Sequence, residues 1–128
     1  MGTDIHGVVE EHGPQGWNLV YVLHSEHPAG HRNYKQFAAL AGVRGEGPEP
    51  RGMPADICAA TRYLWETGGD HTPSWLTVKE AIKVFNERPR YAAEPPHVPS
   101  DDFSEEVEYW FGDSCLSRDD RFVFWFDS

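Results

Sequence analysis

The sequence predicts an α+β domain: a small, mostly antiparallel sheet formed by an N-terminal hairpin and a C-terminal strand, covered by about four helices. The stretches 3–11 and 17–23 both have strand-like composition, and the turn-forming residues 13–16 separate them. The stretch 121–127 is almost continuously apolar and rich in β-forming residues. The segments between these strands show helical spacing, so we expect them to cover the apolar surface of the sheet.

The composition bounds the size and class of the protein. The chain has 128 residues, enough for one domain with a sizeable core, so we expect a single domain over 1–128. The formal net charge of −10 disfavours direct binding to a nucleic-acid backbone, which requires clustered Lys and Arg. No stretch has the length of a membrane span or the features of a signal peptide, so we expect a cytoplasmic protein without a membrane partner. Cys58 and Cys115 are not spaced like the cysteines of zinc-binding or redox motifs, and we expect both to be plain thiols.

The two ends of the chain are expected to meet in one sheet. The first strand is predicted to end near His12, and the chain then returns through 17–23. In the returning strand the odd-numbered residues form the heavier apolar face: Trp17, Leu19, Tyr21 and Leu23. The strand 121–127 looks buried on both faces, which is typical of a strand with a neighbour on each side. We therefore expect it at the centre of a sheet of three or four strands.

Three helices are predicted in the first two thirds of the chain from apolar spacing and capping residues. The first follows Asn33, a good N-cap residue, and ends at Gly42. The second covers about 55–67. The third begins at a capping box in which Thr77 and Glu80 satisfy each other's backbone N–H groups, and this is the most strongly supported helix.

A fourth helix is predicted to begin at Ser100 and to have one acidic face. The acidic residues of this face are Asp101, Asp102, Glu105, Glu106 and Glu108. The connecting stretches are rich in Gly, Pro or polar residues and are predicted to be loops: 24–31, 44–54, 70–76 and 89–100. The acidic face is either a solvated surface or a surface for a basic partner.

The first strand carries polar groups on one face. Strand periodicity places Asp4, His6, Val8 and Glu10 on the same side, although Glu10 lies too far along the strand to join the other two polar groups. With His71, the side chains of Asp4 and His6 are candidate ligands for a divalent metal ion. The alternative is an ordinary hydrogen-bonded histidine, oriented by Asp4 or by another neighbour.

A second group of candidate residues is basic and aromatic. Arginine forks bind carboxylate or phosphate groups, and nearby aromatic planes can stack on a base or a sugar. With Asp4 and His6, the candidate ligand-binding residues are Arg32, Tyr34, Arg51, His71, Ser74 and Trp75. In the alternative interpretation, Arg32 and Arg51 pair with the abundant acidic residues and Trp75 belongs to the core.

Five ordered blocks of the sequence resemble a family of small proteins encoded mainly by bacteriophages and prophages. The blocks are Thr-Asp-Ile-His-Gly at 3–7, Arg-Asn-Tyr followed by Phe and Val-Arg within 32–44, Pro-Arg-Gly-Met-Pro at 50–54, Asp-His-Thr-Pro-Ser-Trp-Leu-Thr at 70–77 and Arg-Phe-Val-Phe-Trp-Phe-Asp at 121–127. This chain departs from the pattern at Thr72-Pro73 and in a longer Pro-rich stretch before Ser100. The resemblance implies a phage or prophage origin and implies no particular reaction.

These observations lead to one expected function and two alternatives. We expect a non-catalytic accessory protein that binds either a small anionic, nucleotide-like ligand or a host protein, and counter-defence would suit a phage product. The first alternative is a metal-dependent phosphoester hydrolase with Asp4, His6 and His71 as ligands. The second is a structural or morphogenetic component of the virion. No catalytic residue is assigned, and a divalent metal is the one cofactor under consideration.

Overall fold

A computed structural model describes residues 2–23, 34–87 and 120–127 of the chain. Its elements, in chain order, are β1 (Asp4–Gly13), β2 (Gly16–Val22), α1 (Tyr34–Ala41), α2 (Ala59–Gly68), β3 (His71–Thr77), α3 (Val78–Glu87) and β4 (Arg121–Asp127). The four strands form one antiparallel sheet in the order β2-β1-β4-β3. Within the described ranges no helix is long and apolar enough to cross a membrane.

The predicted α+β class, the N-terminal hairpin and the central C-terminal strand are confirmed. The first strand turns back directly into β2, with Gly13 opposite Gly16. Strand β4 lies between β1 and β3, and its first six residues are all buried. A strand with neighbours on both sides and elements on both faces has no solvated surface, which explains its continuous run of apolar residues.

Residues 71–76 of the stretch 70–76, predicted to be a loop, belong instead to the edge strand β3. A proline is unfavourable inside a sheet because it has no backbone N–H to donate. An edge strand tolerates Pro73, since one side of that strand has no neighbour. The pairing with β4 is irregular between His71 and Ser74, and Thr72 within this irregular section has a φ of 56°. Beyond the irregularity, Ser74 and Leu76 are buried in alternation with half-buried neighbours, as in a regular strand.

The helices differ from the prediction in number and in one boundary. Three helices rather than four are present in the described residues, and the helix predicted from Ser100 lies outside them. Asn33 and the predicted loops 24–31 and 89–100 also lie outside the described residues. Helix α2 begins at Ala59, four residues later than predicted, because the chain at 55–56 forms a turn whose Asp56 side chain binds residues of β2 and β4.

A β-bulge in β2 makes the prediction of one apolar face for this strand wrong. Val9 pairs with Tyr21 while Glu10 pairs with Leu19, so Val20 is an extra residue in β2. The side chains on the two sides of the bulge therefore reach opposite faces of the sheet. Tyr21 packs with the cluster around Val9, and Leu19 packs with the cluster that contains β1 residue Val8.

The first face of the sheet carries the larger core. The aromatic side chains of β4 dominate it, with Phe122 and Phe124 stacked at 5.0 Å between ring centroids and Phe37 of α1 edge-on to Phe126 at 5.1 Å. Residues from β1, α1 and α3 complete the cluster, including Ile5, Val9, Leu40, Val78 and Ala81. Ring pairs of this kind add stabilisation beyond the area that they bury.

The second face is covered by α2 and by the part of the preceding segment that contains Met53 and Ile57. Val8, Val123 and Trp125 form the sheet side of a smaller cluster, and Ile57 closes it from the covering segment. Trp65 of α2 lies edge-on to Trp125, with 5.7 Å between the ring centroids. Both faces of β1 and β4 are therefore partly buried, and polar residues on these strands need partners in the protein.

Gly7 of β1 is required for the first core. A Cβ atom added at Gly7 would lie 2.6 Å from Cε1 of Phe122, whose side chain is fully buried. We expect Gly7→Ala to lower the free energy of unfolding by about 1–3 kcal/mol, measured by urea denaturation.

Gly68→Ala is the matched control, since a Cβ atom at Gly68 would meet no atom within 4 Å. Its stability should equal or slightly exceed that of the native chain. Equal stability of the Gly7→Ala and Gly68→Ala proteins would contradict the packing described for Phe122.

Candidate functional site

The polar face of β1 is divided into an open half and a buried half. His6 is exposed and Asp4 is half-buried, whereas Val8 and Glu10 are buried beneath α2 and the segment before it. The sequence placed these four residues on one face, and the register with β4 confirms that they share it. The two halves have different environments and must be considered separately.

The buried half is an ionic network centred on Glu10. Its Oε2 accepts hydrogen bonds from the backbone N–H of Cys58 at 3.0 Å and from Oγ1 of Thr61 at 2.7 Å. Its Oε1 accepts a hydrogen bond from Nε of Arg121 at 2.9 Å, the residue directly opposite in β4. Burial by itself raises the pKa of Glu10, but the hydrogen bonds from Thr61, Cys58 and Arg121 together hold it below its usual range.

Arg121 extends this network to the surface. Its Nη1 donates to Oδ1 of Asp56 at 2.9 Å, and its guanidinium carbon lies 3.9 Å from the centroid of the Trp17 ring. Nε1 of Trp17 donates to Oδ2 of the same Asp56 at 3.0 Å. The hydrogen bond from Arg121 lowers the pKa of Asp56. Glu10 is therefore a structural residue that attaches α2 and its preceding turn to the sheet.

The open half contains a histidine–carboxylate pair. Nε2 of His6 is hydrogen-bonded to Oδ2 of Asp127, and both side chains are partly exposed. In the ladder, His6 lies opposite Trp125 and Asp4 lies opposite Asp127, so all four residues share this face. A carboxylate hydrogen-bonded to one imidazole nitrogen fixes the ring orientation and leaves the second nitrogen, Nδ1, for another polar partner.

Asp127 was not among the predicted site residues. A signal for it existed, because alternation in β4 puts Asp127 on the same face as Trp125, at the end where an antiparallel β1 begins. That signal becomes useful only when the register between β1 and β4 is known, and the two residues are about 120 positions apart in sequence. The sequence left open that His6 is an ordinary histidine oriented by Asp4 or by another neighbour. The neighbour that orients it is Asp127.

A cleft of about 200 Å³ lies beside His6. Its lining residues come from β1, the end of β2, the last turns of α2 and β4: His6, Gly7, Val22, Leu23, Leu64, Thr67, Gly68 and Trp125. Most of these side chains are apolar, and His6 is the one ionisable side chain among them. An apolar hollow with one oriented polar group is the usual composition of a small-molecule site.

His71 does not join His6. It lies opposite Phe126 in the ladder and stacks on the Phe126 ring, with 6.1 Å between centroids, on the face of the first core. Its Nδ1 is 2.8 Å from Oγ1 of Thr72. The candidate metal ligands Asp4 and His6 are thus on one face of the sheet and His71 is on the other. Nowhere in the described ranges are three or more His, Cys, Asp or Glu residues grouped to hold a metal ion.

Three residues of the basic and aromatic group meet at the edge of the sheet. The backbone N–H of Arg51 donates to Oγ of Ser74 at 2.9 Å, and the Arg51 guanidinium lies 4.9 Å from the Trp75 ring centroid. Both terminal nitrogens of Arg51 donate to Glu80, at 2.9 and 2.8 Å. Arg51 therefore pairs with an acidic residue of the same chain, as the alternative interpretation expected.

Glu80 has two functions at this edge. It accepts from the backbone N–H of Thr77 at 3.0 Å, and Oγ1 of Thr77 accepts from the N–H of Glu80 at 3.1 Å, so the predicted capping box is confirmed. The hydrogen bonds from Arg51 and Thr77 outweigh burial and lower the pKa of Glu80 to about 2. The bidentate ion pair therefore fastens the segment before α2 to the start of α3.

Tyr34 and Arg32 complete the set of predicted site residues. The hydroxyl oxygen of Tyr34 accepts from the backbone N–H of Thr3 at 3.2 Å, and the Arg44 guanidinium lies 4.7 Å from its ring centroid. Nε of Arg44 also donates to Oγ1 of Thr3 at 3.1 Å. These contacts fix the position of Thr3, the residue directly before β1. Arg32 lies outside the described residues.

Comparison with known proteins adds no constraint on the site. No protein-family model, no curated protein and no solved structure matches this chain. The resemblance to phage-encoded proteins stays a prediction, and the site must be interpreted from its own geometry. That geometry favours the cleft beside His6 over the Arg51 cluster, whose charged group already binds a carboxylate of the same chain.

Substitution of Glu10 tests the buried network. We expect Glu10→Gln to lower the free energy of unfolding by about 3–5 kcal/mol at pH 7, because it leaves Arg121 buried with an incomplete partner. Asp56→Asn should cost less than about 1 kcal/mol, since the Asp56 side chain is 67% exposed. Equal losses in the two variants, measured by urea denaturation, would contradict the central position of Glu10.

Stability in acid tests the Arg51–Glu80 pair. The folded-state pKa of Glu80 is about 2 against an ordinary value of 4.5, so its stabilisation is complete above pH 4.5 and is lost as the pH falls towards 2. Because both side chains are more than a third exposed, Glu80→Gln should cost no more than about 1 kcal/mol at neutral pH. The difference from the native chain should shrink in acid, and a difference that is constant from pH 7 to pH 2 would contradict the ion pair.

Proposed function

We propose that this chain is a non-catalytic accessory protein, encoded by a phage or prophage, that binds a small ligand in the cleft beside His6. One observation supports the ligand site above all others: an apolar cleft borders a histidine whose ring orientation is fixed by Asp127. The phage origin rests on the five sequence blocks alone. Counter-defence is the role that would suit such a protein.

The size of the cleft limits the ligand. A volume of about 200 Å³ is below the roughly 300–1,000 Å³ of typical drug-sized sites, so one ring with short substituents would fill it. Leu64, Val22 and Trp125 would contact the faces and edges of such a ring. Nδ1 of His6 would form a hydrogen bond with it, because Nε2 is bound to Asp127. A nucleobase-like ring is of suitable size and polarity.

The ligand that we propose for the cleft carries no anionic group. The expectation of an anion depended on Arg32 and Arg51, and the Arg51 guanidinium is engaged by both carboxylate oxygens of Glu80. Displacing Glu80 would cost a bidentate ion pair and one hydrogen bond of the α3 capping box. Arg51, Ser74 and Trp75 are better explained as the attachment of the segment 44–58 to β3.

In the other form of this function, the chain binds a host protein. The acidic stretch 101–113 would face a basic surface of that partner, and this stretch lies outside the described residues. Neutralising Glu105, Glu106 and Glu108 should remove binding of such a partner and leave the cleft unaffected. For the metal-dependent hydrolase, no feature of the described residues favours a metal site over the cleft.

A ligand screen by protein-observed NMR tests the proposal. Free nucleobases, nucleosides and related single-ring heterocycles would be added to ¹⁵N-labelled protein, and the Trp125 indole and the backbone signals of Gly7 and Leu64 would be followed. We expect at least one compound to shift these signals with saturation. The same compound should lose at least about tenfold in affinity with Gly68→Leu, because Gly68 lines the cleft and a Cβ atom there would meet no atom within 4 Å, so the added side chain would compete with the ligand for space.

Tyr63→Ala is the control variant, because Tyr63 is exposed, lies on the same helix and does not line the cleft. It should bind the compound as the native chain does. Binding that survives Gly68→Leu unchanged would place the ligand elsewhere and contradict the proposal.

A further inference from the structure

We infer that the ring bound by the cleft is an aromatic side chain of a partner protein, presented by an extended segment that pairs with the edge of β2 at Val22. This inference rests on the proposed ligand site and specifies what carries the ring. It joins the two forms of the proposed function, because the partner protein itself supplies the ligand of the cleft.

Val22 presents its backbone N–H and C=O groups to the open edge of the sheet. Strand β2 is the outermost of the described strands and has β1 as its neighbour. Val22 lies opposite Val8, and the N–H of the next residue, Leu23, donates to the carbonyl of Gly7 at 2.8 Å. Val8 and Val22 are therefore a non-hydrogen-bonded pair, in which the N–H and C=O groups of each residue point away from the other strand. Among the described residues, none is hydrogen-bonded to these two groups of Val22.

The same residue borders the cleft. Val22 lines it together with His6 of β1 and Leu64 of α2, and Val22 is 49% exposed. Residues that are directly opposite each other in a sheet have their side chains on the same face. A residue paired with Val22 would therefore place its side chain on the face that contains the cleft. A backbone donor and acceptor thus stand beside a hollow that accommodates one ring.

Strand β2 lacks the residues that usually block pairing at a sheet edge. Its seven residues, Gly16–Val22, include no proline and no charged side chain. The other edge strand, β3, contains Pro73 and an irregular section. The β-bulge at Val20 bends β2, so we expect the pairing to be short and confined to the end of the strand that borders the cleft.

The charges of the chain select the kind of partner. With a formal net charge of −10, two copies of this chain repel each other, so a second copy is an unfavourable occupant of the edge. His6 is the one ionisable side chain that lines the cleft, so the site offers no opposite charge to a charged ring and favours a neutral one. The hydroxyl group of a tyrosine-like ring would form a hydrogen bond with Nδ1 of His6. The partner segment is therefore neutral or basic and carries an aromatic residue opposite Val22.

A blocked amino acid, N-acetyl-tyrosine N-methylamide, is the smallest probe that contains the ring and both backbone groups that would pair with Val22. Its affinity for the full chain would be measured by NMR titration, following the Val22 amide and the Trp125 indole signals. We expect both signals to shift with saturation. The affinity should be at least ~10-fold higher than that of N-acetyl-alanine N-methylamide, which lacks the ring.

Two isomeric probes test the pairing itself. Methylation of the acetylated nitrogen removes the N–H that would donate to the Val22 carbonyl, and it should weaken binding at least ~5-fold. Methylation of the other amide nitrogen gives the N,N-dimethylamide. It removes an N–H that would point away from β2, and it should change the affinity by less than ~2-fold. Equal affinities of the two isomers would overturn the pairing with Val22.

Gly68→Leu tests whether the ring of the probe enters the cleft. It should weaken binding of N-acetyl-tyrosine N-methylamide at least ~10-fold, because Gly68 lines the cleft and the added side chain would compete with the ring for space. Tyr63→Ala is again the control and should leave the affinity unchanged. Equal affinities of the Gly68→Leu and native proteins would overturn the insertion of the ring.

The outcomes separate the inference from the proposed function. If a heterocycle binds in the cleft but N-acetyl-tyrosine N-methylamide leaves the Val22 amide unshifted, the inference is overturned and the ligand site stands. If neither the heterocycles nor this probe shift the cleft signals, the ligand site itself is overturned. If the Val22 amide shifts with protein concentration in the absence of any probe, a second copy occupies the edge and the assignment to a partner protein is overturned.

Discussion

The ion pair between Glu10 and Arg121 is the interaction on which the rest of the structure depends. These residues are directly opposite each other in β1 and β4, and both are buried. A shift of one residue would turn Glu10 into the aromatic core and move its apolar neighbours to the opposite face, so the pair strongly specifies one register. The same carboxylate binds Cys58 and Thr61 at the start of α2. One buried charge therefore fixes both the strand pairing and the helix above it.

The candidate site is a consequence of that register. Four residues along β1 from Glu10, His6 meets the end of β4 and binds Asp127. Helix α2, held at its first turn by Glu10, brings its last turn over the same end of the sheet and closes the cleft with Leu64 and Gly68. The polar groups on this strand face thus have different roles: Glu10 is buried and holds the fold together, whereas His6 is exposed and lines the cleft.

The sequence predicted the features that depend on local patterns. The hairpin, the central strand β4 and the capping box of α3 all follow from periodicity, turn residues and short-range hydrogen bonds. Strand β3 was missed because Pro73 and its polar neighbours resemble a loop until the edge position is known. The bulge at Val20 depends on the exact register within the hairpin, and the contact of His6 with Asp127 depends on pairing between segments that are far apart in sequence. Residue patterns encode neither register.

The most direct test of this account is the register of β1 against β4 in solution. Cross-strand nuclear Overhauser effects between backbone protons, measured by NMR on the native chain, report that register residue by residue. We predict contacts of His6 with Trp125 and of Glu10 with Arg121. Contacts displaced by one residue would put Asp127 on the face opposite His6 and would contradict both the buried network and the cleft.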